Sequence, residues 1–439
     1  MSDSMLNPVT TGNPEQPELS AEQAARQILA VAVHAGEIML RSGAEISRVE
    51  LTITTLVKAF GIPDGQSLVT PTGIYVSIDL DSLPFPLSVV RRVGDRQINL
   101  NRISKVNDLS RRAARGQVTL TEARHELDQI EHSAAPYPFW LRMLAGAASA
   151  AGATLVIGGS ALDCIPAFAS TLLVQLLAFA LLRLKVPAIF GEFFGAALAT
   201  AIALLLARSG LPIHTSMVIA GGIIILVPGA ALVACVQDGI SGDLLSSASR
   251  GLETLLKGAA IASGVGLSLS AALKIGLPVS LETTTREIWQ MPVQVLAAIV
   301  ASGCYAMLNH VPRFAVLTAG TAGGVGWLVY LLVSGWNQEI VLATFLAAFV
   351  IGLLSWGFAR WQHSPVSLYI LPGILPLLPG LVIYNGMLQL AHNQSLDGFL
   401  VLAQATFIGG ALAAGVALSN SLAPALWRKP GKFPSLPFL

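Results

Sequence analysis

Charge is what this sequence has least of. Charged residues make up 12% of its 439 positions, against about 25% in an ordinary soluble chain. So few charges cannot clothe a water-facing surface over the whole length, which excludes a simple soluble protein. Cysteine is scarce too. Cys164, Cys235 and Cys304 are odd in number, lie in or beside apolar runs and follow no ligand spacing. No disulfide framework and no cysteine metal site are expected from them. Catalytic signatures are also missing: there is no G-x-S-x-G elbow, phosphate loop or H-E-x-x-H. The first twenty residues, MSDSMLNPVTTGNPEQPELS, lack a basic region followed by an apolar core. No signal peptide is expected, and residues 1–19 read as a disordered tail. No cofactor, metal or nucleic-acid partner is expected.

What is present divides at residue 140. Residues 1–140 hold 13 Lys+Arg and 16 Asp+Glu, whereas residues 141–439 hold 13 and 9. The first part has a soluble composition; the remainder is apolar enough that lipid is its expected solvent.

In residues 20–135, Ser20 and Gln23 form a capping-box start. Ile28, Val31, Ala35 and Ile38 follow at helical spacing, with an end near Gly43. Ile46, Val49, Ile53, Val57 and Phe60 mark a second helix, stopped by Gly61 and Pro63. The period then changes. Ile74, Val76, Ile78 and Leu80 alternate with Tyr75, Ser77 and Asp79, a half-buried strand, with residues 87–93 as its partner. Two more helices follow, on Leu100, Ile103, Val106 and Ala113 and on Ala123, Leu127 and Ile130, the latter capped by Thr119 or Thr121. A small α/β domain is expected. His125, Asp128 and His132 share a helix face, but three groups without a fourth make a weak metal set; a solvated face is the simpler reading. The eight basic residues between Arg91 and Arg115 are interspersed with Asp95 and Asp108 and read as a plain charged surface.

From residue 141 the spacing gives ten apolar segments of about 20 residues, the length that crosses a bilayer. They are 141–161, 165–184, 188–208, 213–236, 251–273, 291–310, 314–334, 339–359, 367–390 and 399–425. The fourth contains LVPG, with Pro228 and Gly229. The ninth contains LLPG, with Pro379 and Gly380, 151 residues on. The register holds in both directions: Ser216, Ile219 and Ile223 match Ser367, Ile370 and Ile374, and GAAIASGVGLSLS (258–270) matches GGALAAGVALSNS (409–421) at eight of thirteen positions. This is an internal repeat. Five spans per copy is an odd number, so the second copy starts from the opposite side. The expected fold is a polytopic α-helical membrane protein of ten helices in two inverted five-helix repeats, 141–273 and 291–425, as in many secondary transporters. Nine basic residues fall in loops on the side of residues 1–140 or in the tail 426–439, and only Arg208, Lys274 and Arg286 on the other. Both termini are therefore expected inside.

Proline breaks a helix, and broken backbone at membrane depth belongs in packed protein or beside a wet cavity. The paired breaks are thus the expected substrate site, with freed carbonyls suited to a cationic group, helix N-termini suited to an anionic one and Ser216, Tyr384 and Asn385 as polar neighbours. Simple kinks between close-packed helices are the rival reading. Glu192 lies a turn or two inside its span; Asp238 and Asp243 follow Pro228 by ten and fifteen residues. These three are the expected proton carriers. The plainer readings are a carboxylate reaching headgroup water and an acidic loop. Gln389 and Gln394 stand at the repeat positions of the two aspartates, so the acidity belongs to one half. Asp163 reads as a boundary marker.

AGEIMLRSGAEISRVE (35–50), TPTGIYVS (70–77), NLNRISKVNDLSRR (99–112), VPG…QDGISGD…R (227–250) and LPG…YNG (378–386) occur in this order. Together they resemble the threonine/serine exporter family of bacterial inner-membrane transporters, over residues 20–425. The resemblance implies efflux of small hydroxy amino acids driven by the proton motive force, with small dicarboxylates as an alternative cargo. It also places the motif residues Glu45 and Arg48 in a cytoplasmic domain, for which a hydrolase role has been suggested. The residues give that role no independent support; a regulatory or gating domain is the preferred reading, and the repeat argues against a membrane-tethered hydrolase. Partners are then an amino acid, protons and the bilayer, with a homo-oligomer left open.

Overall fold

The computed structural model describes residues 21–80, 84–94, 97–240, 242–276, 291–337 and 339–426. Ser20 of the expected capping box, both tails and the 277–290 connection lie outside these residues.

The N-terminal unit begins with α1 (Ala21–Arg41) and α2 (Ile46–Ala59). Each turns off where the sequence expects it, at Gly43 and Gly61, whose positive φ of 86° and 100° suits a residue without a Cβ. A three-stranded antiparallel meander follows: β1 (Gly65–Thr70), β2 (Gly73–Ile78) and β3 (Leu87–Arg92), in that order. The alternation in β2 works as expected. Ile74, Val76 and Ile78 are buried and Tyr75 is exposed, and Ile78 pairs with Leu87 and Tyr75 with Val90. β1 has no comparable alternation, and the pattern of its residues does not predict it. Helices α3 (Leu100–Ala114) and α4 (Leu120–His132) close the unit. Thr119 starts α4 in a reciprocal capping box with Glu122. Leu29, Met39, Ile53, Leu56, Ile103 and Leu109 form its core.

The apolar part comprises α5 (Phe139–Val156), α6 (Ala161–Arg183), α7 (Ala188–Arg208), α8 (Thr215–Ile223), α9 (Gly229–Ile240), α10 (Leu244–Lys274), α11 (Met291–Leu308), α12 (Arg313–Asn337), α13 (Ile340–Trp361), α14 (Ser367–Gly373), a 3-10 turn Leu375–Leu377, α15 (Gly380–Ala391) and α16 (Ser395–Leu426). Among the described residues eight helices are long and apolar enough to cross a membrane; the chain is a polytopic helical membrane protein. The fourth and ninth apolar segments are not continuous helices. Residues 213–236 fall on α8 and α9, and residues 367–390 on α14 and α15, the second pair bent by 41°. Pro228 and Pro379 stand at the breaks, where a continuous helix would need the donor they lack.

Packing recurs at the repeat spacing. Helix α5 packs on α6, α6 on α7 and α7 on α10; in the second half α11 packs on α12, α12 on α13 and α13 on α16. Individual contacts recur too. Gly264 lets α10 approach the carbonyl of Phe193, and Gly415, 151 positions on, lets α16 approach that of Phe345. Gly222 faces Ser170 and Ala199, while Gly373 faces Ala322 and Ile351. Such small residues let helix backbones close up where lipid gives no hydrophobic drive.

Helices α5 and α11 run antiparallel. Ser149 Oγ donates to Ala301 O at 2.9 Å, and Arg142 Nη1 lies 2.5 Å from His310 Nε2. The second arm of each broken pair crosses to the other half, α9 packing on α16 as well as α10, and α15 on α10 as well as α16. The N-terminal unit docks at one end of the bundle. Leu100 N donates to Asn309 O at 3.2 Å, Tyr137 Oη to Val311 O at 3.0 Å and Arg111 Nη1 to His363 O at 3.4 Å.

Candidate functional site

The two Pro-Gly breaks meet. A Cβ at Gly229 would lie 2.6 Å from Leu378 Cδ2, and one at Gly380 would lie 3.4 Å from Ala220 O. Each break thus touches the other half's broken segment; the Gly229 contact is the tight one, where the Leu378 side chain would have to give, and the Gly380 contact is of ordinary van der Waals length. Gly229 and Gly380 begin α9 and α15. Gly229 N and Gly380 N donate to Val227 O and Leu378 O, and the carbonyls of Ile223, Ile224 and Leu375 accept from residues three positions on. Short turns thus take up part of each break, and the remaining first-turn N–H groups of the two arms have no helical carbonyl four residues back. Backbone donors and acceptors from both halves therefore converge in an apolar surround of Ile223, Ile224, Leu375 and Leu377.

The polar neighbours separate. Ser216, in the first turn of α8, and Tyr384 are buried; Tyr384 packs among Val218, Ile219, Ile261 and Val265 from the first half. Asn385, one position on and about 100° around the helix, is exposed. Only Tyr384 of the two faces the packed interior.

A second constellation lies where α9, α10 and the N-terminal unit join. Asp238 and Arg250 are buried, with Arg250 Nε 2.9 Å from Asp238 Oδ2. Neither atom makes an aligned hydrogen bond, so they form an ion pair. Arg250 Nη2 also donates to Ala44 O at 3.2 Å. Glu45 is the next residue, and it and Asp243 are close enough to repel the Asp238 charge. One guanidinium thus holds a membrane-helix carboxylate and the backbone that starts α2. Asp243 acts locally, its Oδ1 accepting from Ser246 N at 3.1 Å to cap α10. Arg48, one turn into α2, lies near Arg111, and its Nε is buried without a hydrogen-bond partner. Glu50 accepts from Val69 N at 2.9 Å. Burial raises its pKa above the ordinary carboxylate value; the Val69 bond opposes this and the Asp243 charge adds to it.

Glu192, in the first turns of α7, has a buried Oε2 without a hydrogen-bond partner. Lys257 of α10 attracts it, and Tyr305 of α11 lies within its field. It is apart from the Asp238 cluster but in the same half of the bundle, since α7 and α10 both start near that end. Asp163 is more than a boundary marker. It is fully buried and holds His214, 51 residues away. The sequence pattern likewise gives Arg250 only its place in a motif. Neither long-range partnership leaves a periodic trace. His125 and His132 bond within α4, to Gln129 and to Asp128 O, and no metal-binding group occurs among the described residues.

Comparison with known proteins adds the following. A family described as "Putative threonine/serine exporter" matches residues 30–272, and one described as "Threonine/Serine exporter, ThrE" matches residues 294–422. A "Probable threonine/serine exporter" of Mycobacterium tuberculosis is 29% identical over 91% of this chain and 77% of its own. A "Threonine/serine exporter" of Corynebacterium glutamicum is 29% identical over 92% and 84%. No solved structure matches.

Proposed function

The chain belongs to the threonine/serine exporter family, and from that premise we propose that it exports threonine and serine across the bacterial inner membrane in exchange for protons. The meeting of the two Pro-Gly breaks carries this reading. A broken helix pair contributed by each half, touching near mid-bilayer, is the arrangement in which many secondary transporters hold their cargo. The amino acid's carboxylate takes the remaining first-turn N–H groups at the starts of α9 and α15, favoured by the helix dipoles. Its ammonium takes the second lone pairs of the turn-bonded carbonyls at the ends of α8 and the 3-10 turn, and Tyr384 is the polar group for the hydroxyl. Ser216, at the far end of α8 from the break, is not at this site.

The scaffold is read as ten spans in two inverted five-helix repeats. In support, the packing recurs 151 residues on, and α5 begins at the domain-docked end whereas its counterpart α11 finishes there. The N-terminal unit and both termini are assigned to the cytoplasm, in keeping with the nine-to-three distribution of basic residues. The Asp238–Arg250–Ala44 junction then makes this unit a gate over the inner mouth. Glu192 and Asp238 carry protons; a proton on Asp238 cancels its attraction for Arg250 and loosens the unit's hold on α9 and α10.

Labelled-threonine counterflow by the purified full chain in proteoliposomes tests the function. Exchange of threonine against serine, with no exchange against small dicarboxylates, is expected. Absence of exchange with either amino acid would refute the proposal.

A further inference from the structure

At the bundle end away from the N-terminal unit, α6 and α8 start side by side. Asp163, third residue of α6, is 0% exposed. Its Oδ2 accepts from Ser160 N at 2.6 Å and is bonded to His214 Nδ1 at 2.8 Å, and its Oδ1 accepts from His214 N at 2.7 Å. Each carboxylate oxygen thus already accepts from a backbone donor. An ionised carboxylate only accepts, so Nδ1 carries the ring hydrogen and Nε2 keeps a free lone pair. The His214 side chain is 30% exposed. A buried carboxylate thus holds a partly exposed imidazole.

We propose that His214, oriented by Asp163, is a proton-binding site of the transport cycle on the outer side. Nε2 takes a proton from the external medium, and the resulting imidazolium–carboxylate pair holds the start of α8. This rests on the proton-exchange reading and on the topology that puts this end outside.

The repeat argues against a merely structural role. At the equivalent corner of the second half the third residue of α12, the place Asp163 has in α6, is Ala315, and Pro365 stands 151 positions after His214. Arg313 opens α12 there, but no carboxylate–imidazole pair stands at the equivalent positions. The titratable pair therefore exists at one end of a pseudo-symmetric scaffold, as directional coupling requires. His214 leads straight into α8, whose other end is the break at the proposed substrate site, so its protonation acts on the segment that reaches the cargo. The elements packed on α8 are α5, α6, α7 and α15. Besides Asp163, their titratable groups at this end are Cys164, which donates to Ala151 O and Ser160 O, Arg208 in the last turn of α7 and His392 at the C-cap of α15. None of these replaces Asp163 as the bonded partner of Nδ1.

The full chain in proteoliposomes is assayed for threonine counterflow at equal pH and for threonine transport driven by an imposed pH gradient. His214→Gln keeps an amide donor for Asp163 but cannot titrate. Asp163→Ala/His214→Pro copies the second half's corner. Both are expected to retain counterflow, to lose at least about tenfold in gradient-driven rate and to lose the dependence of that rate on outer pH. If either variant keeps the wild-type gradient-driven rate and pH profile, His214 is not the site. If both also abolish counterflow, the pair is structural and the proposal is overturned. A wild type indifferent to the gradient refutes proton exchange itself, and this site with it.

Discussion

Arg250 Nε lies 2.9 Å from Asp238 Oδ2, buried where the broken span, the long helix α10 and the N-terminal unit join. A buried pair is costly to halve, because the remaining charge has neither water nor partner. It is less costly to replace whole.

Arg250→Ala is therefore expected to destabilise the protein by about 3–5 kcal/mol. Adding Asp238→Asn to it should recover much of that loss. A double-mutant cycle on thermal unfolding in detergent measures the coupling. Additive losses would mean that the two side chains do not interact.

Acid should weaken the docking of the N-terminal unit. His310, in the turn after α11, has its pKa pushed down from 6.5 to about 4 by burial, with the Arg142 and Arg102 charges adding to it. Between these values the unfolded chain binds a proton that the folded chain refuses. Stability therefore falls as pH drops from 6.5 to 4 and is flat, for this group, above 6.5. His310→Asn, which still offers Arg142 an acceptor, should flatten the melting temperature across that window. Glu131 acts lower. Its hydrogen bond to His34 depresses its pKa, so its contribution is present above 4.5 and lost as pH falls through the folded value. An unchanged slope in His310→Asn between pH 4 and 6.5 would contradict the assignment.

Cysteine accessibility in intact cells tests the topology. With the native cysteines replaced, Lys185→Cys and Ser249→Cys should resist an impermeant external reagent, and Ser209→Cys and Asp397→Cys should react. Labelling of Ser249→Cys together with Ser209→Cys would remove the alternation on which inverted repeats depend.

Much of this architecture is legible in the sequence because lipid imposes it. Every apolar segment from residue 141 is a helix or a broken pair, and Pro228 and Pro379 break theirs because proline has no donor to give. Other features leave no periodic signal. The strand of Gly65–Thr70 shows only Leu68 and Val69 as large apolar residues, and pairing with β2 rather than its own pattern defines it. Helix α10 starts at Leu244 rather than near residue 251. Its polar first turns escape a hydropathy reading, yet they are what lifts Arg250 to Ala44. The Asp163–His214 and Arg250–Ala44 contacts span 51 and 206 residues, beyond the reach of any local spacing rule. Asn385 and Tyr384 look like a pair because they are adjacent in sequence, but neighbouring positions on a helix face different ways.

The substrate site stands or falls on the breaks. Pro228→Ala/Gly229→Ala and Pro379→Ala/Gly380→Ala restore helical donors and put a Cβ where the halves touch, so the converging backbone groups are consumed. Threonine counterflow is to be measured in proteoliposomes at matched amounts of folded, inserted protein. A drop of at least about tenfold in each variant, equivalent to about 1.4 kcal/mol or more in the barrier, is the expected result. Wild-type counterflow in both variants would place the cargo elsewhere and contradict the central claim.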